Sequence, residues 1–362
     1  MSGQDAGSRD GNAAAGGIVS NDGGGSAGTG GGLAIGGSGA SAAIDGGVDR
    51  RDSAESGETS SPTVGCPKGM VRISAKNQTF TMGLDKSNAP LQGNGQPWSC
   101  YLGVHQVTFT YDFCMDAYLV TQSQFLAVMG FNPSKHQIAG ATGGTLPVDS
   151  ATWFDAMIYC NTRSQADGLA PAYSYGAVTH SGTGSLYGGG PPTTTDPKSA
   201  SNVAGVVMDL TKPGYRLPTN AEYEYAERAN TTGNYFFAPD GANVSQVAQQ
   251  YGWGPDNSGG TTHPVGLLKP NPWGLYDIVG NLFEWENDWD APYPTTPQVD
   301  PVGEPAGASC GGATPAGGAK MAKGGSFKAD VGNHQRIGYH YYWTPASVNG
   351  ELGLRCVATV VP

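Results

Sequence analysis

The glycine-led segment GGSFKADVGNHQR, residues 324–336, brings several reactive side-chain types into one short loop. Ser326 supplies a hydroxyl, and His334 and the nearby His340 supply imidazoles that can exchange protons near neutral pH. These groups could contribute to a Ser-His-Asp arrangement, and the two histidines could converge on a metal ion. The histidines of the chain show no H-x-x-x-H spacing, however, so the loop by itself predicts no complete catalytic site.

A second polar segment, NPWGLYDIVGNLFEWENDWD at 271–290, combines carboxylates with closely spaced glycines. Calcium prefers carboxylate and backbone oxygens, and a bent loop lets several of them converge. This composition is typical of a loop that holds a hard cation. The alternative interpretation is that the acids lie in surface turns and that the aromatic residues belong to the core. Those aromatic residues are Trp273, Tyr276, Phe283 and Trp285.

The charge balance limits the classes of partner. The 362 residues include 30 acidic and 19 basic residues, which gives a formal net charge of −11. Binding to nucleic acid without sequence preference needs a basic face that neutralises phosphates, so we expect no nucleic-acid partner. No apolar run approaches the ~20 residues of a membrane-spanning helix. We therefore expect no transmembrane segment.

The elements that must position the polar segments begin near Cys66. Residues 1–65 are rich in glycine, alanine and serine and contain no aromatic residue, which predicts a disordered tether. One folded domain is then expected over 66–362. Alternating residues predict a hairpin at 70–83, and β-branched and aromatic residues predict strands within 101–120.

Three helices carry N-terminal start signals, each a threonine followed by an acidic residue or glutamine at the capping-box spacing. The pairs are Thr121 with Gln124, Thr152 with Asp155, and Thr219 with Glu222. Beyond about residue 235 the chain is rich in Gly, Pro and Asn, with only short strand-like pieces. Few helices, short strands and many loops predict the α+β class.

Seven segments with characteristic motifs follow one another along the predicted domain. They are FTMG (80–83), YLVTQSQFLAVMGFNPS (118–134), PVDSATWFDAMIYCNTRS (147–164), YRLPTNAEYEYAERA (215–229), HPVGLLKPNPWGLYDIVGNLFEWENDWD (263–290), KGGSF (323–327) and TPASVNGELGLRC (344–356). Together they resemble the sulfatase-modifying-factor family, which includes the formylglycine-generating enzymes. The resemblance implies an irregular, loop-rich α+β fold related to C-type lectins, with few helices and short antiparallel strands.

The resemblance also implies a calcium site and a disulfide. Carried across position by position, Asp277 and Glu284 would supply side-chain oxygens to calcium, and Gly280 and Leu282 would supply backbone carbonyls. The matching cysteine pair, disulfide-linked in some members of the family, is Cys160 with Cys356. The remaining four cysteines allow three pairings, one of which joins Cys66 to Cys114 and Cys100 to Cys310.

The loop at 324–336 departs from the family pattern at the positions that matter for oxidation. Family members that make formylglycine bind copper(I) through two cysteines shortly after the GGSF segment, because copper(I) prefers soft sulfur ligands. The nearest matches here are Ala329 and His334, and no cysteine lies between Cys310 and Cys356. We therefore expect no copper and no formylglycine-generating oxidase activity, and we assign no catalytic residue. A family arginine looks replaced by His340.

The aromatic tract YHYYWTP at 339–345 suggests a different use of the same region. Its rings could stack on a sugar or a peptide, whereas packing of a half-buried strand is the alternative. A possible binding surface comprises Ser326, His334, His340, Tyr341, Tyr342 and Trp343. The first hypothesis is thus a binding or scaffold module without oxidase chemistry, whose ligand would be a peptide, a protein or a glycan. The second is an enzyme with different or residual chemistry.

The cysteines indicate the compartment. They are six in number, spread through a loop-rich chain without a C-x-x-C pair, which favours disulfides over a zinc site. Disulfides persist in oxidising compartments, so we expect an extracytoplasmic protein that is secreted, periplasmic or anchored to the envelope. No signal peptide is visible after Met1. Whether a signal or a lipid anchor precedes it stays open.

Overall fold

The computed structural model describes residues 65–84, 103–137, 144–180, 199–238, 243–303 and 318–361. The predicted tether at 1–65 lies outside these ranges except for its last residue. Cys100 and Cys310 lie outside them as well. Within the described residues the helices are α1 (Gln122–Met129), α2 (Trp153–Ala166), α3 (Asn220–Arg228), α4 (Val244–Ala248) and α5 (Val331–His334).

The helix start signals predicted from the sequence are confirmed. Thr121, Thr152 and Thr219 each accept a hydrogen bond from the backbone N–H three residues on, and the side chain of that residue bonds back to the threonine N–H. Both otherwise unsatisfied groups at each helix start are thereby paired. Helix α1 ends at Gly130, whose φ of 73° suits a residue without a side chain.

The first and the last strand of the domain belong to the same four-stranded sheet. Its strands are β1 (Met70–Ile73), β4 (Asp112–Asp116), β15 (Val357–Val360) and β9 (Tyr215–Arg216), in that spatial order. All three pairings are antiparallel. The last strand is therefore inserted between elements that are distant in sequence, so the sheet closes only when the whole domain is present.

A second four-stranded sheet carries both polar segments. Its order is β13 (Tyr341–Trp343), β12 (Lys320–Lys323), β10 (Phe283–Trp289) and β14 (Leu352–Gly353). Strand β12 runs straight into the GGSF loop, and β13 lies at the edge of the sheet. A half-buried strand is one of the two interpretations of the aromatic tract, and Tyr341–Trp343 of this tract form β13, with two residues half-buried and one buried.

The remaining strands form smaller sheets. A three-stranded sheet has the order β11 (Gln298–Val299), β3 (His105–Thr108), β2 (Thr79–Met82), and two-stranded pairs join β5 (Tyr173–Ser174) to β8 (Val207–Met208) and β6 (Val178–His180) to β7 (Ala200–Val203). The predicted hairpin at 70–83 is wrong in its pairing. Its two strands form, but β1 pairs with β4 and β2 pairs with β3, so each strand takes a partner more distant in sequence.

Helix α3 is buried on all sides even though it contains three glutamates and an arginine. Glu222 forms a two-pronged ion pair with Arg216, with both N–O distances 2.6 Å. Glu224 pairs with Arg228 at 2.7 Å. A buried charge is tolerated only when it is paired or neutralised, so these contacts are what allow a polar helix to lie in the core. The short strands, few helices and many ordered loops confirm the α+β class.

Candidate functional site

The GGSF loop turns sharply because two successive glycines have positive φ, 87° at Gly324 and 76° at Gly325. A Cβ at Gly324 would lie 2.6 Å from the hydroxyl of Tyr223. Ser326 follows and is fully buried; its hydroxyl donates to Glu351 at 2.5 Å and accepts from the backbone N–H of Ala329. Ser326 thus fixes the turn, and it is neither an exposed nucleophile nor part of an accessible surface.

The two positions that match the lost cysteines lie just beyond this turn. Ala329 is buried, with 8% of its surface exposed. His334 ends the one-turn helix α5, and its Nδ1 lies 2.7 Å from an Asp330 carboxylate oxygen. This loop contains no cysteine. The next cysteine along the chain, Cys356, is buried in the core. The loop therefore holds a hydrogen-bonded His–Asp pair.

The aromatic side chains of β13 divide between surface and interior. Trp343 is buried against Phe283 and Trp285, with ring centroids 5.1 and 6.2 Å away. Tyr341 and Tyr342 are half-buried and stack at 5.6 Å with their planes 15° apart. One ring therefore packs in the core, as the half-buried strand interpretation predicts, and two rings are half-buried; stacking of these two rings on a ligand stays a prediction.

His340 points away from this surface. It is fully buried, with Nε2 3.2 Å from Asp290 Oδ1 and Nδ1 3.4 Å from the hydroxyl of Tyr293. Burial lowers the pKa of His340, which favours the neutral ring. Of the predicted six-residue surface, Ser326, His340 and Trp343 are corrected to buried positions. His334, Tyr341 and Tyr342 remain, and we call these three residues the aromatic edge.

The two carboxylates among the predicted calcium ligands, Asp277 and Glu284, are both buried and hydrogen-bonded within the protein. Both oxygens of Glu284 are bonded to Arg355, at 2.5 and 2.8 Å, inside the core. Asp277 is buried, and its Oδ2 accepts from the Gly266 N–H at 2.7 Å. Among the described residues, no group of three or more His, Cys, Asp or Glu side chains could hold a metal ion.

Arg355 has a structural role, because its guanidinium bonds to both carboxylate oxygens of Glu284 in the core. Calcium stays a prediction from the resemblance. It can be checked by asking whether a chelator lowers the melting temperature, because a ligand that binds only the folded state raises it.

The cysteines behave differently from one another. Cys66 and Cys114 form a disulfide, as in one of the three predicted pairings. The other two cysteines of that pairing, Cys100 and Cys310, lie outside the described residues. Cys160 and Cys356 are brought together in the core with their sulfur atoms 2.7 Å apart, but both are free thiols. Their disulfide therefore stays a prediction, although the fold places the two residues as neighbours.

Sequence reasoning missed a buried acidic cluster between α3 and β10. Glu227 and Glu286 are buried, and no described residue donates a hydrogen bond to their carboxyl oxygens. Burial raises the pKa of Glu227 to about 8 and that of Glu286 well above its usual range. The dense run of acids in AEYEYAER and EWENDWD was the available signal, but only the fold shows that the two runs face each other.

Family comparison places these features in context. The chain matches the model of the sulfatase-modifying factor enzyme 1-like domain over residues 56–360, and it belongs to that family. This match includes the GGSF loop and the first and last strands of the domain, β1 and β15.

Several curated proteins are similar over part of this domain. The chaperone protein LppX of Paenibacillus barcinonensis is 33% identical over 204 residues, which cover 52% of this chain and 65% of that protein. The formylglycine-generating enzyme of Streptomyces coelicolor is 34% identical over 155 residues, covering 40% of this chain and 46% of the enzyme. The formylglycine-generating enzyme of Bos taurus is 33% identical and is covered to 42%. The matches thus span about half to two thirds of these relatives.

Solved structures agree on the fold. Treponema denticola variable protein 1 is 29% identical with a TM-score of 0.60, and the similarity covers 80% of this chain and 94% of that one. PvdO from Pseudomonas aeruginosa has a TM-score of 0.52 at 20% identity, with coverage of 80% and 94%. The second likeness shows a shared fold and nothing about activity.

Proposed function

We propose that this protein is an extracytoplasmic binding or scaffold module of its family that has no copper-dependent oxidase activity. The single observation that carries the proposal is the composition of the GGSF loop. Where a soft metal would need two thiolates, the chain has buried Ala329 and a His334 paired with Asp330. A buried methyl group cannot act as a metal ligand.

The aromatic edge supports ligand binding at this place. His334, Tyr341 and Tyr342 form a contiguous group in which the His334 and Tyr341 ring centroids are 6.1 Å apart. Tyrosine offers a broad apolar face together with a polar hydroxyl and loses little conformational entropy on binding. Such a surface suits a peptide, a protein or a glycan, which is the ligand class we propose.

The compartment is supported by covalent chemistry. The Cys66–Cys114 disulfide is of the kind that persists in oxidising surroundings and is rare where glutathione keeps thiols reduced. None of the helices in the described ranges is long and apolar enough to cross a membrane. We infer extracytoplasmic residence from the disulfide alone.

A binding experiment tests the proposal directly. The full chain would be applied to glycan and peptide arrays, with the Tyr341→Ala/Tyr342→Ala double variant and a matched control, Tyr118→Ala. Tyr118 is also a surface tyrosine, 40% exposed and stacked on Tyr276 at 4.8 Å, but it lies elsewhere. We expect saturable retention of the wild type, a loss of about tenfold or more in the double variant, and no change in the control.

Two outcomes would contradict the proposal. Equal retention of wild type and double variant would remove the aromatic edge as the binding surface. Oxidation of a Cys-x-Pro-x-Arg peptide by the full chain with copper and oxygen, seen as a mass change, would instead establish the alternative of an oxidase with residual activity.

A further inference from the structure

A separate small cavity lies at the end of β10. Its volume is about 270 Å³, and it is bounded by the end of β10, the start of α3, β3 and the segment 291–303. Its apolar walls include the indole of Trp289, the thioethers of Met82 and Met321, and the ring of Pro292. The cavity shares no lining residue with the aromatic edge.

One carboxylate oxygen is left available at the wall of this cavity. Asp288 is 5% exposed, and its Oδ2 accepts from the Asn220 N–H at 3.0 Å. No described residue donates a hydrogen bond to its Oδ1. Gly303 lies beside that atom with φ of 84°, and a Cβ at this position would come within 2.7 Å of Oδ1. The oxygen therefore stays uncovered because residue 303 has no side chain.

A second acceptor comes from His105, which is also buried and lines the cavity. Its Nδ1 lies 3.2 Å from the carbonyl oxygen of Gly103. A carbonyl can only accept, so Nδ1 carries the hydrogen, and in the neutral ring Nε2 offers a lone pair. No described residue forms a hydrogen bond with Nε2. The cavity thus holds two unused acceptors.

The charge of the cavity has one sign. Asp300 is a second carboxylate in the lining, held by the N–H and hydroxyl of Thr110 at 2.7 and 2.5 Å. No arginine or lysine is among the described lining residues. Lys320 lies 4.1 Å from the Trp289 ring centroid but lines a different cavity, where it donates to the Asn287 carbonyl.

A buried carboxylate with one oxygen left without a donor is costly, and this cost raises its pKa. Burial raises the pKa of Asp288 to about 7, although the hydrogen bond from Asn220 and the positive charge of Lys320 work in the opposite direction. A cation placed beside Oδ1 would remove much of that cost and would favour the ionised form. Acceptors, negative charge and apolar walls together fit a ligand with N–H donors, positive charge and an apolar body.

We propose that this cavity binds a small primary ammonium compound, whose ammonium group donates to Asp288 Oδ1 and His105 Nε2 and whose apolar body packs on Trp289, Met82 and Met321. The proposal is independent of the aromatic edge and concerns a second site of the same domain.

The test uses two probes of nearly equal shape, benzylamine and benzyl alcohol, titrated into the full chain by calorimetry at neutral pH. We expect benzylamine to bind about tenfold or more tightly than the alcohol, because only the amine carries the charge. The Asp288→Asn variant should lose about tenfold or more of the benzylamine affinity. Asp209→Asn, a change to a carboxylate elsewhere whose side chain is 45% exposed, should leave that affinity unchanged.

Several outcomes decide the matter. Equal affinity for the two probes, or no binding of benzylamine by the wild type, overturns the proposal without any variant that has to fold. Unchanged affinity in a folded Asp288→Asn protein also overturns it. The Tyr341→Ala/Tyr342→Ala protein should bind benzylamine like the wild type, so failure at the aromatic edge and failure at this cavity are distinguishable.

Discussion

At the scale of single residues, the domain depends on charged side chains that are buried in pairs. Arg355 lies fully inside the domain, and its guanidinium bonds to both oxygens of Glu284 and to the backbone carbonyls of Asp116 and Tyr276. A charge this deep is stable only with its partners, so these groups specify one arrangement of β10 against the chain terminus. Glu227 and Glu286 are exceptions, because neither has a hydrogen-bond donor among the described residues.

Burial without a hydrogen-bond donor makes Glu227 a source of pH-dependent stability. Its pKa of about 8 in the folded protein lies above the ordinary glutamate value, so the folded state holds a proton that the unfolded state has lost. This contribution is fully present below the unfolded pKa and is lost as pH rises through about 8. A single such group changes the unfolding free energy by up to about 1.4 kcal/mol per pH unit.

Glu227→Gln, which is neutral in both states, should therefore flatten the decline of the unfolding free energy between about pH 5 and 7. Urea unfolding followed by fluorescence at several pH values measures this slope. At about pH 4, where the carboxyl is protonated in both states, the variant and the wild type should be close in stability. Parallel curves for the two proteins over the whole range would show that Glu227 is ionised in the fold.

At the scale of elements, α3 links the ion pairs to the sheet. Its first turn receives the Thr219–Glu222 capping box while Glu222 also holds Arg216, so one carboxylate serves the helix start and the neighbouring strand. Helix α2 uses Asp155 in the same way, since its second oxygen accepts from the Ala200 N–H at 2.7 Å. The helix starts are therefore also tertiary contacts, and their loss should cost more than a surface cap.

Thr219→Ala should lower the unfolding free energy by about 1–2 kcal/mol, because the buried N–H of Glu222 loses its acceptor. The control is Asn243→Ala at the exposed start of α4, where the cap hydrogen bond is 3.5 Å long. This change should cost no more than about 0.5 kcal/mol. Chemical denaturation of both variants provides the comparison, and equal losses would refute the tertiary role of the α3 cap.

At the scale of the whole molecule, strand pairing and a disulfide join parts of the domain that are distant in sequence. Strand β15 pairs with β4 and β9, and the only described disulfide joins Cys66 at the start of the domain to Cys114 in β4. The sequence separation of the bonded cysteines is 48 residues. In the chain-entropy model a loop of this size stabilises the fold by about 4 kcal/mol.

Replacing both bonded cysteines, as Cys66→Ala/Cys114→Ala, should therefore reduce the unfolding free energy by about 4 kcal/mol. Thermal and denaturant unfolding measure the loss. Adding a reductant should lower the melting temperature of the wild type and leave that of the double variant almost unchanged. A reductant effect of equal size on both proteins would place the stabilising bond at other cysteines.

The sequence by itself determined the α+β class, the three capped helices, the strand at 341–343, the family, and the loss of thiols from the GGSF loop. These features depend on local sequence pattern or on residue identity, and both can be read from the sequence without the structure. How far each ring of β13 is buried, with Tyr341 and Tyr342 half-buried and Trp343 buried, depends on the neighbouring strands.

Only the tertiary structure decided that Glu284 faces Arg355, that β1 pairs with β4, and that Asp288, His105 and Gly303 meet at one cavity. These residues are far apart along the chain. Their encounter follows from sheet order and burial, for which no short segment carries a signal.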